Sequence, residues 1–297
     1  MISRKKIVFI LNPISGTRKK SQVPALLKQH LNQQLYSYEI AETARPLHAR
    51  ELAKAAAEAG ADIVVAVGGD GTVNEVACGL LYSSSALGIL PFGSGNGLAR
   101  HMGIPVDTIK AIRLLNHPSY TIIDAGEANG KPFFCTAGLG FDAHIGRLFA
   151  VTHTRGFASY IRMAMKEYFR FRPHTYHIRS DEGTFKGEYF VVGLANAAQY
   201  GNNAYIAPEA NIQDGWLNLC LLSPFPAYEV PRLGWQLFHK SIHQNPYMKI
   251  LRTKEVEISS PQTEYMHIDG EFIPIKESLH IRVLPLSLKI VAPKVKK

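Results

Sequence analysis

A chain of 297 residues exceeds one typical domain, and 46% hydrophobic with 19% charged residues excludes a disordered or collagen-like polymer. Lysine and arginine number 33 against 24 aspartates and glutamates, a net charge of +9 that favours phosphates, nucleic acid or an acidic membrane as partner. Cys78, Cys135 and Cys220 lie far apart with no CxxC or Cys/His spacing, which argues against a zinc module and reads as buried thiols of a reducing compartment.

The N-terminal "MISRKKIVFILNP" places basic residues before an apolar run, as a signal peptide does. The run is too short and passes into Asn-Pro with no small-residue cleavage site, so it reads as a first strand. From there strand and helix patterns alternate. "KIVFIL" is followed by the helical spacing of "SQVPALLKQHLNQQL", then by "YSYEIAET" as a second strand. "PLHARELAKAAAEAG" begins with Pro46 near its first turn and stops at Gly60. "DIVVAV" is a third strand, "TVNEVACGLL" a helix, "ALGILP" a fourth strand, and "NGLARHM" opens another helix. This order predicts a parallel α/β sheet. The character changes near Asp124. Most later segments are short and turn-bounded: "HTYHIRS", "EYFVVGLANAA", "WLNLCLLSP", "EVEISS", "EYMHIDGEFIPI", "LHIRVLP" and "SLKIVAP". One helix, around "GFASYIRMAMKEYFRF", interrupts them. The expectation is a boundary near residue 128 with an antiparallel β domain beyond it. No stretch approaches the roughly 18 apolar residues that cross a bilayer.

Three loops fall at the carboxyl ends of apolar strands, where open α/β sheets bind ligands: Asn12 to Gly16 (NPISG), Gly68 to Thr72 (GGDGT) and Gly93 to Gly97 (GSGNG). Glycine lets backbone N–H groups approach phosphate oxygens, and a following helix adds a favourable dipole. One such loop is ordinary turn chemistry; three at equivalent places point to a phosphate-bearing ligand. No G-x-x-x-x-G-K-[ST] is present, and "GLGFDAHIG" lacks G-x-G-x-x-G spacing.

"VGGDGTVNEV", preceded by "NPISG" and followed by "LPFGSGNGLAR", resembles the diacylglycerol-kinase-like lipid kinases, a family that also includes sphingosine and ceramide kinases. The resemblance continues through "IDAG", "TAGLGFDA" and "QDGWLNL" to "HIDGE". It implies an NAD-kinase/phosphofructokinase-like α/β domain over residues 1–128 and an antiparallel β-sandwich lipid-substrate domain over 129–284. Residues 285–297 would form a strand returning to the first domain, and the site would lie in the cleft between the domains. It further implies transfer of the ATP γ-phosphoryl group to a lipid hydroxyl. Gly68, Gly69, Asp70, Gly71, Thr72 and Asn74 would line the phosphates of ATP. Asn12, Thr43, Ser94, Gly95 and Asn96 would position the nucleotide. Asp214, with backbone groups of Asn211 and Trp216, would match a structural magnesium site, in addition to nucleotide-bound Mg²⁺. Glu271 matches the family's proposed proton acceptor, and Asp142 stands where sphingosine kinases carry an acidic headgroup residue. In the third loop, where bacterial diacylglycerol kinases read Gly-Thr-x-Asn-Asp-Phe-Ala, this chain has Ser94 and Gly97, closer to the sphingosine-kinase form.

Each acid keeps a plainer alternative. Asp70 either binds nucleotide magnesium and the reacting hydroxyl or caps the following helix. Glu271 follows Asp-Gly in a hairpin signal, which by spacing alone makes it an exposed turn residue. Asp214 and Asp142 read equally as turn and capping residues. Between Asp70 and Glu271 the proton acceptor stays open. Arg162, Lys166 and Arg170 recur every four residues, with Tyr160, Met163, Phe169 and Phe171 as apolar area. That helix either meets an anionic bilayer or covers the sandwich with a solvated basic face. The sum of these readings is a cytoplasmic, peripherally membrane-associated lipid kinase, with ATP and a lipid acceptor as partners, no nucleic acid, and a homodimer left open. A sphingoid-base kinase, a non-catalytic nucleotide sensor and an NAD kinase are the alternatives.

Overall fold

The computed structural model describes residues 4–14, 20–150, 157–275 and 278–294. The chain forms two compact units, one of Met1–Asp124 with Leu286–Lys297 and the other of Ala125–Pro285. No helix among the described residues is long and apolar enough to cross a membrane.

In the first unit, strands β1 (Lys5–Leu11), β2 (Tyr36–Glu42), β3 (Ile63–Gly68) and β4 (Ala86–Pro91) alternate with helices α1 (Val23–His30), α2 (His48–Glu58) and α3 (Asp70–Leu80). β3 and β4 are buried along their whole length, as strands covered on both faces must be. The sheet order β2-β1-β3-β4 is parallel throughout. Residues Ile7, Phe9, Ile63 and Val65 share one face with Leu27 of α1. The alternate set Val8, Ile10, Val64 and Ala66 is also buried and points to the other face. Helices α2 and α3 cross at Gly79, where a Cβ would lie 2.5 Å from the Arg50 carbonyl and 2.8 Å from Ala53 Cβ. Two further helices follow, α4 (Gly97–His101) and α5 (Thr108–Asn116). The chain reading passes over α5, although Asp107 caps it through Lys110 N–H at 2.9 Å and Ala111, Ile112 and Leu115 form its buried stripe. Strand β5 (Ser119–Ala128) then leaves the unit after the fully buried Asp124. The end of the last strand returns, pairing Ile290 in parallel with Leu87 of β4.

The second unit stacks two antiparallel arrays. Its elements in order are β6 (Lys131–Phe133), β7 (Thr136–Gly140), α6 (Phe141–Ala150), α7 (Phe157–Tyr168), β8 (His174–Ser180), β9 (Gly183–Tyr189) and β10 (Val191–Ala195). There follow β11 (Gln199–Gly201), β12 (Ala204–Tyr205), β13 (Leu217–Leu222), α8 (Val230–Phe238), β14 (Met248–Thr253) and β15 (Glu255–Ser259). β16 (Tyr265–Ile268), β17 (Glu271–Pro274) and β18 (Leu279–Ala292) complete the chain. One sheet runs β14-β13-β10-β7-β16-β17; the other pairs β9, β8, β15 and the first half of β18. Leu139, Val192, Leu219 and Met266 from the first sheet meet Tyr176, Ile178, Val256 and Ile281 from the second in one core. This is a β-sandwich held by alternating inward side chains.

Three details depart from the sequence pattern. "EYFVVGLANAA" is two strands in two sheets, because Phe190 turns the chain: its N–H binds Leu222 O and its carbonyl accepts Phe141 N–H. "LHIRVLP" and "SLKIVAP" are one strand with a kink at Leu286, φ 45°, whose N–H donates to Asp124 Oδ1 at 2.7 Å. Among the described residues the unit holds three α-helices rather than one. α6 lies behind glycines that look like a turn, and α8 carries Pro231 in its first turn, where the missing N–H costs nothing.

The hairpin at Asp269-Gly270 has φ of 48° and 86° at its two central residues, the type I′ geometry that matches strand twist. Asp269 also accepts N–H groups from Phe134, Cys135 and Thr136 at 2.8, 2.8 and 3.0 Å. Asp269→Ala leaves these donors without their acceptor. It should lower stability by about 2–3 kcal/mol, read as a lower urea midpoint at unchanged slope. An unmoved midpoint would show that the hairpin needs no such anchor.

Candidate functional site

In the first unit the strand ends carry the three loops. Asn12 follows β1, with its N–H on Val67 O and its Oδ1 accepting Ile14 N–H at 3.2 Å. Ser15 and Gly16 of the first loop lie outside the described residues. Thr43 N–H donates to Leu11 O, which brings the end of β2 to the same edge.

The second and third loops are fastened to each other. Phe92 N–H binds Gly68 O at 2.8 Å. A Cβ on Gly93 would stand 2.8 Å from Gly69 Cα, so the two backbones touch at a point where position 93 cannot carry a side chain. Asp70 reaches across: Oδ2 accepts Asn96 N–H at 2.9 Å and Oδ1 accepts Gly97 N–H at 2.7 Å. A Cβ on Gly95 would come within 2.9 Å of that carboxylate. Asp70 is therefore a cap, but of α4 rather than of its own helix. Within the third loop, Asn96 (φ 49°) and Gly93 exchange hydrogen bonds at 3.0 and 2.8 Å, and Arg100 Nε holds Gly95 O at 3.0 Å. Ser94 is exposed at its tip, Thr72 is buried, and Gly71 and Asn74 are half-buried on α3.

Two residues that the motif analysis missed complete this edge. Glu75, inside the same glycine-rich motif, accepts Leu47 N–H at 3.2 Å and Ala49 N–H at 3.1 Å, capping α2 from α3. Lys20 is 6% exposed, its Nζ donates to Asn12 O at 2.6 Å, and it lies 5.8 Å from the Phe92 ring. Burial pushes the Lys20 ammonium below its ordinary pKa. Nothing in "TRKK" distinguishes Lys20 from its neighbours; only its packing on Phe92 does. The edge thus gathers backbone N–H groups, the start of the eleven-residue α3 and a buried cation, which is the chemistry of an anion site.

In the second unit Asp142 stands in the first turn of α6, its Oδ1 on Ala143 N–H at 2.7 Å. Its Oδ2 accepts from Tyr200 OH at 3.0 Å and from His267 Nε2 at 3.0 Å, with the His267 side chain 6% exposed. An Asp–His pair of this kind, 125 residues apart, has no local sequence signal. Burial, then the Asp142 carboxylate, pushes the Cys220 thiol above its ordinary pKa. Glu271 is exposed at the start of β17, paired across the hairpin with Ile268.

For the expected structural magnesium, Asn211 Oδ1 accepts Gln213 N–H at 3.1 Å and Asp214 Oδ1 accepts Trp216 N–H at 3.0 Å. Asp214 Oδ2 is ion-paired with Arg252 at 2.7 Å, and Arg252 and Lys254 lie 5.1 and 4.8 Å from the Trp216 ring. In this arrangement a guanidinium takes the Asp214 oxygen that would otherwise face a cation. No group of three His, Cys, Asp or Glu that could hold a metal occurs among the described residues.

Residues 6–128 match the model of the diacylglycerol kinase catalytic domain, and residues 135–292 that of the YegS C-terminal NAD kinase beta sandwich-like domain. The chain is 30% identical to a "Probable lipid kinase YegS-like" of Chromohalobacter salexigens, over 82% of this chain and 79% of that one. It is 29% identical to a "Diacylglycerol kinase" of Bacillus subtilis, over 90% of each. Among solved structures, a diacylglycerol kinase from Bacillus anthracis superposes with a TM-score of 0.72 at 19% identity, covering 98% of this chain and 97% of that one. An NAD kinase from Archaeoglobus fulgidus follows at 0.52 and 12%, covering 97% and 94%; these two show likeness of fold. The chain belongs to the diacylglycerol-kinase-like family of lipid kinases, with its α/β catalytic domain first and its YegS-type β-sandwich second.

Proposed function

We propose that this chain transfers the γ-phosphoryl group of MgATP to the hydroxyl of a membrane lipid such as diacylglycerol. The observation that carries the reading is the Asp70 clamp. It fixes two glycine loops side by side at the carboxyl ends of β3 and β4, with α3 starting between them. Phosphoryl transfer is mostly positioning and charge neutralisation, and a pre-formed cradle of N–H groups supplies both. Gly68 to Asn74 hold the phosphates; Asn12, Thr43, Ser94, Gly95 and Asn96 place the nucleotide; Lys20 adds positive charge beside them. Asp70 and Glu271 are the two candidates for proton acceptor, and Asp142 is the headgroup acid. A sphingoid base is the second acceptor, favoured by the Asp142 carboxylate, which can pair with an ammonium.

Access to lipid is assigned to α7 and the turn after it. Ile161, Met165 and Phe169 are exposed, the last by 74%, and each precedes an exposed cation, Arg162, Lys166 or Arg170. Arg170 is drawn towards Glu167 at 3.1 Å. The apolar face differs from the one expected from spacing. Phe171 turns inward against Phe141 and Phe190, and Met163 is half-buried. The Tyr160 side chain lies outside those described. Large apolar side chains alternating with cations suit an anionic bilayer surface.

Radiolabelled ATP offered with a panel of diacylglycerols and sphingoid bases should give labelled lipid in the organic extract. No labelled product from any acceptor would sink the proposal. Asp70→Ala should lower kcat/KM by about 100-fold or more and weaken nucleotide binding as well, because the third loop loses its anchor. A Met165→Glu/Phe169→Glu variant should pellet about tenfold less with phosphatidylserine vesicles while keeping its activity on a short-chain, soluble acceptor. Equal pelleting would place the membrane contact elsewhere.

A further inference from the structure

We propose that His267 reads the acceptor: its Nδ1 receives the hydrogen bond of an acceptor hydroxyl, or of a headgroup ammonium, beside Asp142 and Tyr200. The inference rests on the lipid-kinase reading above and concerns the second unit alone.

The starting point is an unsatisfied atom. His267 Nδ1 is buried and has no hydrogen-bond partner among the described residues. The side chain is 6% exposed, and leaving a buried polar atom unmade costs about 1–3 kcal/mol. A few such atoms occur in native proteins, and each asks what fills it. Here the ring is not a loosely held side chain. Ionised Asp142 can only accept, so the 3.0 Å contact places the proton on Nε2 and leaves the lone pair on Nδ1. That is the orientation an Asp–His pair gives an imidazole that must accept a proton or a hydrogen bond at its far nitrogen.

The surroundings are built for this pair. Gly138 faces His267 across the β7–β16 ladder, and a Cβ there would stand 2.6 Å from His267 Nε2 and press into Asp142 Oδ2. Only a residue without a side chain leaves room for the carboxylate and the imidazole together. Strand alternation sends Met266 and Ile268 into the sandwich core and His267 to the opposite face, which α6 covers. The Tyr200 ring lies 5.8 Å from the imidazole and the Phe272 ring 6.4 Å, so the polar atoms are walled by aromatics. Asp142 Oδ1 already takes Ala143 N–H, and Oδ2 takes two donors. An incoming hydroxyl therefore finds at Nδ1 a position where it adds a hydrogen bond without displacing one.

The other acceptors of the cluster explain why the ligand should be a donor. Tyr200 spends its proton on Asp142, as does His267 Nε2, so the cluster has no N–H or O–H aimed at a ligand among these contacts. A phosphate or carboxylate would meet only lone pairs and negative charge. A neutral alcohol or an ammonium headgroup is complementary.

The test is His267→Gln, which keeps an N–H within reach of Asp142 and removes the Nδ1 acceptor. Wild type and variant are assayed with ATP and dioctanoylglycerol in mixed micelles, then with sphingosine. The expected result is a KM for the preferred acceptor raised about 5- to 100-fold, with the KM for ATP and the thermal midpoint unchanged. Nitrogen NMR of the wild type gives a readout independent of turnover and of the variant's folding. The unprotonated His267 Nδ1 resonance should move upfield when dioctanoylglycerol is added. If the wild type labels lipid while the variant keeps its acceptor KM and the resonance does not move, an ordered water is the partner and this inference is overturned alone. If the wild type labels no lipid, the lipid-kinase reading fails and takes this inference with it.

Discussion

The Asp70 carboxylate accepts two backbone N–H groups, from Asn96 and Gly97, at the start of a helix 26 and 27 positions further along the chain. Together with the Phe92 N–H bond to Gly68 O, that contact fixes the distance of the third loop from the second, and the site's geometry depends on that distance. The contact also explains the glycines on each side. Gly93 lies against Gly69 and Gly95 against the carboxylate itself, so any Cβ would push the loops apart. The glycine signal that points to phosphate is thus shared with loop-to-loop packing. A glycine loop in isolation is weak evidence for a ligand; here two loops are locked in register by a charge, which rigid anion recognition requires.

The same device recurs. Glu75 caps α2 from α3, and Asp269 gathers three N–H groups from the segment before β7. Each acid sits beside or within a motif, "GGDGTVNE" or "HIDGE", and each satisfies orphan donors of another segment rather than of its own. Charge-assisted hydrogen bonds are stronger than neutral ones, so a few carboxylates can hold long-range joints that apolar packing alone would leave loose. This gives the motifs a dual character. Asp70 and Asp269 shape the backbone around which Glu271 and the loop amides are arranged, and a substitution at either acts through position as well as through chemistry.

The first unit was legible because its strands are continuous apolar runs and its helices carry spacing and end signals; even α5, passed over, has its Asp107 cap in plain view. The second unit was harder for a physical reason. Phe190 passes from one sheet to the other inside an uninterrupted apolar stretch, since β10 is buried on both faces and looks no different from a single long strand. The glycines of "GLGFDAHIG" lack G-x-G-x-x-G spacing and give no sign of α6, yet Gly140 takes φ 93° to admit the Phe190 carbonyl and Gly146 makes room for Phe272. The loop residues of the site could be named from sequence because their residue types announce their chemistry. Lys20 and His267 could not, because their significance lies in burial and in partners far away in the chain.

The placement of the acids also sharpens what the excess of basic residues means. Asp70, Asp124, Asp142 and Asp269 all spend carboxylate oxygens on internal N–H or O–H groups, and Asp214 on a guanidinium. These five acids are drawn into joints, while others such as Glu39, Glu58 and Glu271 stay exposed among the basic residues. Arg162 and Lys166 are exposed and stand beside exposed apolar side chains. Around α7, where Arg162, Lys166 and Arg170 are exposed together, the field is more basic than a net charge of +9 spread evenly would make it.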